Sequence, residues 1–296
     1  MNPTRITPRF LITTMLALVG LRLAFNLLGY SESAYSWGGP TAILRTAGKV
    51  AAYAIAIPLC LGVAAEYRRQ QLLRLAWICM ALSAMVSIVR YLLDTQLIEA
   101  IHPGYWHGET ITVLREAPSA ISLFFLAAGI AGMGVAFFRT GLGFSLRKTD
   151  LAAIGAAVLF LLLIFYFRNE MSLAARLENE TARRSQFMSD VFFAIAAAGA
   201  VVLHRFAQQM GGGQLALAME WLIAHVTTRA ALIVLLVIRV RLAIPHTSLI
   251  ENIIYDCTPW MFVTAAAYRH GIALTANRQA TEWGAQQLHA SAARSR

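Results

Sequence analysis

Between the glycines Gly211-Gly212-Gly213 and Pro245 the chain holds a long apolar run, Leu215 to Ala243, with Glu220, His225 and Arg229 in its interior. The run is long enough to cross a bilayer, whose hydrocarbon layer takes about 20 residues of helix. Ionisable groups at that depth are costly in hydrocarbon, so a span that holds them must turn them toward protein or water. One span cannot give that shelter alone. The remainder of the chain is therefore expected to supply further membrane helices gathered around a polar interior.

Composition agrees. Of 296 residues, 58% are hydrophobic and 14% charged, whereas soluble domains carry about 25% charged residues. The expected class is all-α: a polytopic integral membrane helical bundle with about eight transmembrane helices. The net charge of +10 comes almost entirely from Arg. Because the Arg residues are scattered between apolar spans and form no stripe, they read as positive-inside flanks and not as a nucleic-acid surface. Cys60, Cys79 and Cys257 lie in apolar segments, with no CxxC and no His at ligand spacing. They read as small buried hydrophobes. Arg5 and Arg9 precede an apolar run from Phe10, as in a signal peptide. Arg22 interrupts that run and no small-x-small cleavage site follows, so a retained first span is expected.

Eight candidate spans follow in order: 10–28, 41–65, 72–93, 118–138, 151–167, 187–208, 215–243 and 248–267. Thr149 or Asp150 is a candidate N-cap for the fifth. Residues 1–268 form the bundle and 269–296 a basic tail, with no output domain expected. Ala128, Gly132 and Ala136 in span four, and Ala194, Ala198 and Gly199 in span six, have the small-residue spacing of closely packed membrane helices. Met171, Ala174 and Leu177 alternate with charge at helical spacing, so span five is expected to continue beyond the membrane.

Topology comes from the short loops. Arg5 and Arg9, Arg68, Arg69 and Arg74, Arg139, Arg147 and Lys148, Arg205, and Arg269, Arg278, Arg294 and Arg296 all fall on one side. That side is the cytoplasm, which places both termini there. Most carboxylates fall opposite, including Glu32, Asp94, Glu99, Glu109, Glu116, Glu170, Glu178 and Glu180. One outer loop dissents, carrying Arg168, Arg176, Arg183 and Arg184.

With this topology the polar residues of the spans collect in the outer half. Arg22 and Asn26 share a face of span one, and Arg90 and Asp94 close span three. Asp190 opens span six, while His225 and Arg229 share a face of span seven. Glu251 and Tyr255 share one face of span eight, with Asn252 and Asp256 on an adjacent one. The expected arrangement is a polar cavity open to the outside, with Arg22, Arg90 and Arg229 facing Asp94, Asp190, Glu251 and Asp256. Asp256 is the first expected partner of Arg229 and Asp190 the second. Arg45, Lys49, Arg239 and Arg241 read as snorkelling end charges.

No catalytic residue, cofactor or metal is expected. His102, His107 and Glu109 match none of the standard zinc spacings. His204 and His225 differ in depth by roughly 7–10 Å, too far from level to share one haem iron. Lys49 and Lys148 are the chain's lysines, and neither lies in the last span, where a retinal Schiff base would need one. The expected partners are the lipid bilayer, a small-molecule ligand and a separate cytoplasmic output protein. The expected location is a cell membrane, a bacterial inner membrane in particular. The leading functional expectation is a sensor or receptor-like module. A transporter for a small anionic solute comes second, with Pro58 and Pro259 as candidate breaks in its helices. A membrane enzyme acting on a lipid-linked substrate comes last.

Cysteines introduced near Gly104 should react with an impermeant thiol reagent in intact cells, whereas cysteines near Gln70 should react only after lysis. The opposite pattern inverts the topology.

Overall fold

The computed structural model describes residues 7–27, 40–93, 109–139, 146–170, 180–210, 213–242 and 250–272. Among them the regular structure is entirely helical: α1 (Pro8–Leu27), α2 (Pro40–Glu66), α3 (Gln71–Leu92), α4 (Glu109–Arg139), α5 (Lys148–Glu170), α6 (Glu180–Gln209), α7 (Gln214–Leu242) and α8 (250–272). Six of these, α2 to α7, are long and apolar enough to cross a membrane, which marks the chain as a multi-pass membrane protein. Asp94 and the segment 171–179, where span five was expected to continue, lie outside the described residues.

Local chemistry sets the helix ends. Thr7 caps α1 by accepting the Phe10 backbone N–H at 3.3 Å. At α5 the boundary falls earlier than the sequence suggested. Asp150 is not the cap but lies inside the first turn, and its carboxylate accepts the backbone N–H of Arg147 at 2.7 Å. This is the reciprocal half of a capping box. Gly213 leads into α7 with φ +93°, a conformation that side chains other than glycine's rarely tolerate. Helices α2 and α8 run unbroken through Pro58 and Pro259.

The helices α2, α3, α4, α6 and α7 pack in that order, each on the next, with α5 against α6 and α7. Helix α8 closes the ring between α7 and α2. It meets α7 through His225 and Thr258, α2 through Tyr53 and Phe262, and α3 through Tyr91 and Tyr255. Its run from Phe262 to Ala267 is buried on every side, as expected of a helix apolar all round. Helix α5 is peripheral: only 11% of its span is buried, and Leu159 is 70% exposed. A helix this apolar and this bare presents its surface to lipid.

Two devices hold the ring. Small residues let helix backbones approach, as their spacing suggested. A Cβ built on Gly199 of α6 would lie 2.5 Å from Ile130 of α4, and one on Gly132 of α4 would lie 3.3 Å from Ala76 of α3. Hydroxyls then join α3 to α4. Ser83 donates to the Ser122 carbonyl at 2.9 Å, Ser122 returns a bond to the Ser83 carbonyl at 3.1 Å, and the Ser87 and Ser122 hydroxyls lie 2.7 Å apart. Interhelical hydrogen bonds of this kind contribute about 0.6 kcal/mol each in a bilayer.

The close approach at Gly199 generates a prediction. Gly199→Val should overpack the α4–α6 seam and cost about 1–3 kcal/mol, read as a lower melting temperature of the detergent-solubilised protein. Gly155→Ala on α5, where a Cβ meets nothing within 4 Å, should leave the melting temperature unchanged or raise it.

Candidate functional site: a cation-rich polar cluster beside helix α8

The first turns of α8 carry Glu251, Asn252, Tyr255 and Asp256, and four other helices aim cations at this end. Arg22 of α1 reaches Asp256 at 2.7 Å. From α2, Arg45 reaches the other Asp256 oxygen at 3.4 Å and Lys49 reaches it at 3.2 Å. Arg45 also donates to the Asn252 side chain at 3.0 Å. One carboxylate thus gathers three cations from two helices. All of them are largely withdrawn from solvent, Lys49 most of all at 4% exposure.

The tyrosines form the floor of the cluster. Lys49 Nζ stands 3.6 Å over the Tyr255 ring, and Arg45 lies 5.9 Å from the same ring. Both distances fall within cation–π range. Tyr53 stacks on Tyr91 with centroids 5.9 Å apart, and Tyr91 meets Tyr255 edge-on at 6.0 Å. Tyr53 also shares a hydrogen bond with Ser87. Arg90 lies 5.5 Å over Tyr91. Arg229 of α7 closes the group: it lies 6.0 Å over Phe193 of α6 and within electrostatic reach of Tyr53, Arg90, Tyr91 and Tyr255.

Two expectations about charge pairing need correction. Arg229 pairs with neither Asp256 nor Asp190. Asp256 is taken by Arg22, Arg45 and Lys49, and Asp190 is taken by Arg168 of α5. Among the described residues Arg229 has no carboxylate partner at all. Depth along the span was a poor guide because it ignores azimuth: α6 turns Asp190 toward α5, and α8 turns Asp256 toward α1 and α2. The second correction concerns Arg45 and Lys49, which do not snorkel to the interface but point inward at Asp256. Their signal was present in the sequence, since Arg45, Lys49 and Tyr53 follow one another at four-residue spacing and so form one stripe of α2. Tyr53 and Tyr91 carry no charge that would mark them in the sequence.

Of the remaining expected members, His225 is buried and hydrogen-bonds the Thr258 carbonyl through Nδ1 at 2.8 Å, with its ring 5.3 Å from Phe262. It ties α7 to α8 one turn from Arg229. Glu251 is half-buried on α8. The side chain of Asn26 and the whole of Asp94 fall outside the described residues. Glu220 is exposed in the second turn of α7. His204 is exposed and bonds Gln208 at 3.0 Å. Among the described residues no three His, Cys, Asp or Glu side chains come together as metal ligands. His102 and His107 lie outside the described residues, as does the side chain of Glu109.

Chemically, the cluster offers guanidinium and ammonium donors, phenolic hydroxyls and aromatic faces. It can hold an anion by charge-assisted hydrogen bonds. No family model matches the chain, and neither a curated protein nor a solved structure matches it.

Asp256→Ala removes the carboxylate that three cations share and should cost roughly 3–5 kcal/mol of stability in detergent. In double-mutant cycles Arg22 and Asp256 should couple by about 0.5–3 kcal/mol, whereas Arg229 and Asp256 should be additive within about 0.5 kcal/mol.

Proposed function

We propose that this chain is a sensor-like membrane module whose polar cluster receives a small anion from the extracytoplasmic side. The observation that carries the reading is Arg229. It sits within the helix ring beside a second guanidinium, Arg90, and three tyrosines, and no carboxylate of a described residue neutralises it. An unpaired charge near the middle of a span costs at least ~2.5–3.5 kcal/mol. An anionic ligand would remove that cost by bridging α7 to α3.

Signalling rests on which helices meet there. Arg229 is on α7, Arg90 on α3 and Tyr255 on α8, and His225 couples α7 to α8 one turn away. A ligand drawing α7 toward α3 therefore shifts the packing of α8. The effect would pass to a separate cytoplasmic partner through the basic segment beyond α8, with both termini on that side of a bacterial inner membrane. The transporter reading has lost one of its supports, because α2 and α8 continue through Pro58 and Pro259 without the interruption such proteins use.

In a screen of small carboxylates, phosphate and sulfate against the purified protein, at least one anion should raise the melting temperature of wild type and not that of Arg229→Ala. A ligand at 100 times its Kd stabilises by about 2.7 kcal/mol. Proteoliposomes should show no flux of that anion. Flux abolished by Arg229→Ala would establish the transporter instead, and a screen with no stabilising anion would remove the reading.

A further inference from the structure

A second cationic site lies at the opposite end of α2, independent of the cluster. Residues 67–70 are the whole connection between α2 and α3, and both helices are apolar spans of 22 residues, Arg45–Glu66 and Gln71–Leu92. A connection this short between two membrane-crossing helices must sit at headgroup depth. It carries Arg68 and Arg69, both exposed. Arg74 is exposed one turn into α3, and helical side chains lean toward the N-terminus, so it leans back over the turn. Among the described residues none of the three arginines is in an ion pair.

The turn is shaped and anchored. Gln70 donates its backbone N–H to the Tyr67 carbonyl at 2.9 Å, and Arg74 donates to the Gln70 carbonyl at 3.0 Å. Tyr67 is held from the far end of the chain: Arg269 of α8 lies 4.7 Å over its ring and donates Nε–H to its hydroxyl at 2.8 Å. The His270 ring fills the space over Gly62, where a Cβ would lie 3.1 Å from it. Against this fixed backbone lies a hollow of about 540 Å³ lined by Ala65, Glu66, Tyr67, Arg68, Arg69 and Gln70. Glu66 is the one acid in the lining.

We propose that this hollow is a binding site for the phosphate group of an anionic phospholipid in the cytoplasmic leaflet. Lipid phosphates occupy the same depth as the turn. Guanidinium groups match phosphate oxygens in geometry, and basic pockets at helix ends on the cytoplasmic side hold such headgroups. A phospholipid also brings acyl chains, which the exposed apolar faces of α2 and α3, at Leu61 and Leu75, can accept. Inorganic phosphate offers the same charge without that apolar contact. The site depends on neither Arg229 nor the proposed sensing role.

Native mass spectrometry of the full-length protein, released from detergent containing phosphatidylglycerol or phosphatidylcholine, tests this. Wild type should retain phosphatidylglycerol over phosphatidylcholine. Arg68→Gln/Arg69→Gln should weaken that retention roughly 30-fold, as expected for two arginines at a charged membrane surface. Arg74→Gln should weaken it by a smaller factor. Arg229→Ala, which removes the proposed anion response, should retain the lipid as wild type does. Equal retention of the two lipids would overturn the proposal, as would phosphatidylglycerol retention undiminished in the double variant. Displacement by millimolar inorganic phosphate would also overturn it, reassigning the hollow to a soluble anion.

Discussion

Asp256 is the point through which one end of this bundle is tied together. Its two oxygens take Arg22, Arg45 and Lys49, so one side chain on α8 fixes α1 and α2 at once. That carboxylate offsets part of the cost of holding three cations away from solvent. The tyrosines then have a surface to pack on, since Lys49 sits on Tyr255, Tyr255 meets Tyr91 and Tyr91 stacks on Tyr53. Arg229 stands at the edge of this arrangement with its charge unmatched by any described carboxylate. That asymmetry gives the cluster a direction: sealed by an ion network toward α1 and α2, and open in charge toward α7.

Most of the fold was legible in the sequence, for a physical reason. In a bilayer every backbone polar group must be satisfied within its own segment, so an apolar stretch of sufficient length has little choice but helix. One boundary moved where polar capping decided it: Asp150 shifted the start of α5. Helix α4 also begins earlier, at Glu109 and not at the expected Pro118. The site was legible in its membership more than in its pairing. Arg22, Arg90, Arg229, Tyr255 and Asp256 do come together, but which cation meets which acid depends on helix azimuth, and that is set by small-residue seams such as Gly199 against Ile130. Asp190 shows the difference: its depth resembles that of the cluster, but its azimuth delivers it to Arg168.

Helices α5 and α8 contrast in burial. Helix α5 has the more apolar sequence and is the barer helix, while α8 carries Glu251, Asn252 and Asp256, half-buried, near its start and is buried on every side from Phe262 to Ala267. In water the order would be reversed. In lipid, apolar character alone does not drive a helix to the centre of the bundle. Hydropathy therefore locates the spans well and ranks their centrality poorly.

The closing position of α8 bears on biogenesis. The ribosome makes α1 and α2 long before Asp256 exists, so Arg22, Arg45 and Lys49 leave the translocon without the carboxylate that later holds them. Until α8 is synthesised, the ring lacks both its last wall and its counter-charge. The ion network around Asp256 can therefore form only once α8 has been made, after the helices that it ties together.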